Sequence, residues 1–151
     1  MTREEIYDHE LGYWIEVLPQ YQKSIIIELY NQSNDYEIVA SNWLSACPSD
    51  TVPFGTEKNK KIFLEKFLDE LEAFLRGDEK YKKESEALLK NESCVQTIVV
   101  SVISSALGVK LGVAAAFIAP VVVVSLGIVG KMGINAWLAQ RESKRHVNDN
   151  L

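Results

Sequence analysis

The residues whose types suit acid–base, nucleophilic or metal chemistry are few in this 151-residue chain: two histidines, two cysteines and short carboxylate pairs. His9 and His146 stand near opposite ends, and no zinc-type ligand set forms around either, so both read as solvated surface residues. Cys47 and Cys94 lack the spacing of a metal clip or a disulfide framework and read as reduced thiols. The pairs Glu4-Glu5 and Asp69-Glu70 fall on mixed-charge helical stretches, where a solvated face is the expected role. No glycine-rich phosphate loop follows a strand, no G-x-S-x-G elbow occurs, and no Cys/His pair has a third member. The expectation is therefore a protein that is not an enzyme, with no cofactor and no metal.

Charge limits the partners further. The net charge is -5 and the isoelectric point near 5.1, against the basic surplus that phosphate backbones require, so nucleic acid is not expected. The charge is also unevenly spread. Residues 1–92 hold 11 Lys/Arg and 19 Asp/Glu, and residues 93–151 hold the remaining 5 and 2. A basic protein partner for the acidic N-terminal helices follows as one expectation. The Lys58, Lys60, Lys61 cluster, diluted by Glu57 and Glu65, reads as a solvated face rather than a lipid contact. The opening Met1-Thr2-Arg3-Glu4-Glu5 leads into a polar helix rather than a cleaved export signal.

The elements that carry these residues read as all-α, with about six or seven helices. Thr2 and Glu5 have capping-box spacing, and a first helix is expected to run to about Leu18. Pro19 opens a second through Tyr21, Ile25, Ile26 and Leu29, with a short strand at Ile25–Ile27 as the alternative. After a turn at Asn31–Asn34, Asp35 caps a third through Trp43 and Leu44, and Cys47–Gly55, with two prolines, reads as the long loop. From Glu57 to Leu75, Phe63, Phe67, Leu71 and Phe74 make one stripe, with Leu64, Leu68 and Leu75 beside it. Gly77 ends that helix and Asp78 caps the next, through Tyr81, Leu88 and Leu89. The aromatic stripe and Tyr13, Trp14 and Trp43 have the spacing of core packing rather than of a ligand groove.

The information lies beyond residue 93. Val95–Val109 is uncharged, Leu111–Gly130 is again uncharged, and Lys110 alone separates them. A bilayer core of about 30 Å takes roughly 20 apolar helical residues, which the second run reaches and the first, softened by Ser101, Ser104 and Ser105, does not. Gly108, Lys110 and Gly112 suit a reversal near 108–112, so the runs form an antiparallel hairpin. Its membrane-inserting residues are expected to be Ile98, Val102, Leu107, Leu111, Phe117, Pro120, Val122, Leu126 and Ile128, with a kink at Pro120. Ser101, Ser105, Gly127 and Gly130 suit close helix packing, and with it a homo-oligomer. The cations flanking the hairpin, Lys80 to Lys90 on one side and Arg141, Lys144 and Arg145 on the other, put both termini on the cytoplasmic side. Lys131, Trp137 and Arg141 then serve as interface anchors.

Three regions follow: acidic amphipathic helices at 1–92, the apolar hairpin at 93–140 and a polar tail at 141–151. The layout resembles pore-forming colicin domains and, more loosely, the Bcl-2 fold, in which amphipathic helices wrap an apolar hairpin. Asn42-Trp43 resembles a motif of the second, without its glycine and arginine, so no functional residue is transferred. The expected function is a small membrane-acting protein whose partner is the lipid bilayer, either a pore-forming or membrane-disrupting effector or an anchored partner of one. It would be membrane-associated, or cytoplasmic with conditional insertion. The alternative is a soluble helical interaction module with the hairpin as its buried core.

Overall fold

The computed structural model describes residues 2–35, 38–40, 42–43, 57–91 and 95–149, and their side chains except at 57–60 and 146–149. Its helices are α1 (Arg3–Tyr7), α2 (Leu11–Trp14), α3 (Gln20–Ser33), α4 (Glu57–Arg76), α5 (Lys82–Lys90), α6 (Gln96–Leu111), α7 (Ala115–Met132) and α8 (Ile134–Asp149). Residues 38–40 and 42–43 are also helical, and short 3-10 turns lie at Ile15–Val17 and Glu79–Tyr81. The class is all-α. With the helical residues at 38–40 and 42–43 taken together, the described residues hold nine α-helices rather than six or seven.

The excess comes first from the N-terminus, where one helix to Leu18 was expected and the chain breaks at Asp8–Glu10. Thr2 Oγ1 caps α1 by accepting from the Glu5 amide at 3.2 Å. The break frees the His9 carbonyl, which accepts from Trp14 Nε1 at 2.9 Å. Trp14 is completely buried in the apolar core, and the segment that carries it packs on α7. Pro19 is the N-cap of α3 rather than its first residue, and Ile25–Ile27 are helical, so the strand alternative falls. Helix α3 runs through Asn31–Ser33 and stops at Asn34, which takes the left-handed conformation (φ 55°) that asparagine tolerates. Asp35 Oδ1 accepts from the Ile38 amide at 3.4 Å, the cap expected there. The expected loop Cys47–Gly55 lies outside the described residues.

Helix α4 has its expected bounds and stripe: Phe63, Leu64, Phe67, Leu71, Phe74 and Leu75 are buried, Gly77 follows at φ 77°, and Asp78 Oδ1 caps the next turn at Lys80. The hairpin reverses slightly later than expected. Gly108 is a buried residue inside α6 and Leu111 is its last residue; Gly112 (φ 73°) closes it, and the second arm starts at Ala115. The reason is at Gly108, whose carbonyl accepts from Val113 N at 3.0 Å while a Cβ there would lie 2.8 Å from the Val113 oxygen. Glycine lets the returning backbone close over the end of α6. At the far end Gly133 (φ 89°) separates α7 from α8, and residues 141–149, expected as tail, continue α8 as helix.

One core joins all of these elements. Helix α7 runs through it, with Ile118, Val121–Val124, Leu126 and Val129 fully buried against α1, α2, α6 and α8. An all-round apolar helix needs such a shell, because no face of it can be given to water.

Candidate membrane-active hairpin

Helix α7 is 18 residues long, which at 1.5 Å per residue is about 27 Å, and it is long and apolar enough to cross a membrane. Its only charged residue is Lys131, one position from its end. Pro120 is the sixth residue and the helix is continuous through it, although its ring nitrogen cannot donate to Ala116. Helix α6 is the shorter apolar arm at 16 residues, antiparallel to α7. About half of the span, 56% of its residues, is buried within the chain.

The residues expected to insert divide into two groups. Leu107, Pro120, Val122 and Leu126 are buried core, whereas Ile98, Val102, Leu111, Phe117 and Ile128 are half-buried at its margin. At the turn, Lys110 and Gly112 are exposed, and Val109 beside them is 82% exposed. The hairpin tip therefore already stands in solvent. Ser101 and Ser105 are exposed along α6, and Ser104 between them is buried with its hydroxyl unpartnered.

Of the glycines expected to pack helix on helix, Gly127 meets Leu11 on α2, and Gly130 meets His9 in the break before it. A Cβ at Gly127 would lie 3.1 Å from the Leu11 Cβ, and one at Gly130 would lie 1.7 Å from the His9 carbonyl oxygen. The Asp8–Glu10 break thus lies directly on the α7 backbone, and His9, stacked on Tyr13 at 3.8 Å between ring centres, covers the crossing.

No family model, curated protein or solved structure matches this chain.

The anchors expected at a bilayer interface are engaged within the protein. Trp137 is buried, Lys131 is exposed, and Arg141 bonds Glu72 Oε1 through Nε at 3.3 Å and Asp69 through its terminal nitrogen. Glu72 was not singled out in the sequence, yet three arginines converge on it. It is 1% exposed, and its Oε2 receives Arg76 Nε at 2.8 Å and Arg145 at 2.7 Å. Arg76 also donates to the Leu138 carbonyl at 2.9 Å. The signal was present: Leu68, Glu72 and Arg76 follow at four-residue steps beside the apolar stripe, and Arg141 and Arg145 repeat that step. The pair Asp69-Glu70, expected to be solvated, is likewise engaged, since Glu70 Oε2 accepts from the Tyr81 hydroxyl at 2.7 Å and pairs with Lys80 at 2.8 Å.

Proposed function

We propose that this chain is a membrane-acting protein that stores its apolar hairpin inside a helical shell and inserts it into a bilayer on release. The observation that carries the reading is α7, a helix of spanning length with no charge before Lys131, joined by a tight turn to a second apolar arm whose tip is exposed. The elements around it share its apolar core, through Leu11 and Trp14 on one side and Trp137 and Leu138 on the other, so release must unpack that core. The N-terminal break rests on α7 through backbone and glycine, and α8 is tied to α4 by ion pairs. Release would exchange shell contacts for lipid contacts of similar polarity, while the acidic shell stays in water.

The test is a reversible lock. Leu11→Cys with Gly127→Cys places two thiols where the Cβ positions are 3.1 Å apart, within a few tenths of an ångström of the roughly 3.5–4.5 Å that a disulfide spans. Cys47→Ser and Cys94→Ser remove the native thiols. The reduced protein is expected to float with liposomes and the oxidised protein to stay behind. If both float equally, or neither does, the stored-hairpin reading is wrong. Failure of both is the result expected of the second reading, a soluble interaction module, which the complete burial of Val121–Val124 favours.

A further inference from the structure

We infer that α8 is a docking helix for an anionic phospholipid surface, and that Glu72 keeps it closed by occupying the guanidinium groups that would meet the headgroups. The inference rests on the membrane reading above and deepens it by naming the surface. Along one stripe of α8 lie Ile134, Trp137, Leu138, Arg141 and Arg145, at helical steps of three and four. In the fold the first three are buried, and the last two converge with Arg76 on a single carboxylate that is 1% exposed. The face that would meet a bilayer is thus turned inwards, onto α4 and α7.

Three observations point to phosphate-bearing lipid as the partner. Guanidinium groups bind phosphate in the same forked geometry as carboxylate, so headgroups can replace Glu72 and Asp69 one for one. Residues 141–145 hold Arg141, Lys144 and Arg145 against the single acid Glu142, in a chain whose net charge is -5. Only Gly133 separates this helix from the spanning helix α7, so Trp137 and the arginines lie where a tryptophan and cations belong at the end of a span. The cluster is also reachable, because the Arg145 side chain is 52% exposed and that of Arg76 35%.

The full chain carrying Glu72→Gln is compared with the wild type by flotation on vesicles of phosphatidylcholine alone and of phosphatidylcholine with phosphatidylserine. Partitioning onto the anionic vesicles should rise roughly fivefold for Arg145 and by less for Arg141, which stays paired with Asp69, with little change on neutral ones. Because Glu72→Gln also weakens the fold, Glu72→Gln/Arg141→Gln/Arg145→Gln is the companion variant. It should lose the gain if the arginines are responsible. Equal partitioning of Glu72→Gln and wild type overturns the proposal, as does a gain that is the same on both lipids or that persists in the triple variant. The two readings fail separately. If the oxidised and reduced lock behave alike while Glu72→Gln gains, α8 docks and the hairpin does not insert; if the lock works and Glu72→Gln gains nothing, only the docking helix falls.

Discussion

A methyl group added at Gly130 would meet the His9 carbonyl oxygen at 1.7 Å and its carbon at 2.4 Å, both backbone atoms. Neither can rotate away, so Gly130→Ala must push the N-terminal segment off α7 or fail to fold as observed. A loss of about 3 kcal/mol or more in urea unfolding is expected, at the upper end of overpacking costs. Gly112→Ala is the contrast. A Cβ there meets nothing within 4 Å, and only the left-handed conformation (φ 73°) is penalised, by roughly 1–2 kcal/mol. Losses of equal size would refute this account of Gly130. In the sequence Gly112 reads as part of the reversal and Gly130 as a small residue suited to helix association. That Gly130 accepts a carbonyl from 121 positions upstream was not legible, because no local rule connects His9 to α7.

At the scale of the element, the turn after α4 is fastened by Glu70, which lies on α4 and reaches both Lys80 and Tyr81. Burial alone would raise the Glu70 carboxyl, but the hydrogen bonds from Lys80 and Tyr81 together with the Lys80 charge outweigh it and hold the group below its ordinary value of 4.5. The same burial, and the carboxylate beside it, push the Tyr81 hydroxyl up. A carboxyl depressed on folding binds fewer protons folded than unfolded, so its stabilisation is present above the ordinary value and lost as pH falls through the folded one. The urea midpoint should therefore drop between about pH 5 and pH 3, and drop less in Glu70→Gln. Equal pH dependence in the two proteins would remove Glu70 from this role. Helix α4 itself was legible to within a residue because its apolar stripe, the Gly77 stop and the Asp78 cap all agree. Helix α8 was not, since Arg141, Lys144 and Arg145 look alike whether they face lipid heads, water or a buried carboxylate on α4.

Across the whole molecule, the charge segregation visible in the sequence becomes a radial arrangement: acidic amphipathic helices outside, the apolar α7 within, and one core shared by both. The all-α class and the hairpin followed from periodicity and from the uncharged runs. Whether the hairpin is enclosed did not, since an all-round apolar helix satisfies lipid and a protein shell equally. Enclosure is visible only once Leu11, His9 and Trp14 are seen to come back across α7.

Lys110 stands at the exposed tip, with the rest of the hairpin behind it. Insertion with both ends on one side would carry that ammonium through the full thickness of the bilayer, making the hairpin an electrical device with one gating charge. Moving one elementary charge through 100 mV is worth about 2.3 kcal/mol, close to fiftyfold in an equilibrium constant. Vesicles polarised negative inside should therefore take up externally added protein far more readily than depolarised ones, and Lys110→Gln should flatten that response. Uptake indifferent to voltage would mean that the tip never crosses. A single lysine between two glycines would in that case be a solubilising cap on a buried hairpin; if it does cross, an energised membrane becomes the condition under which the stored helix is drawn out.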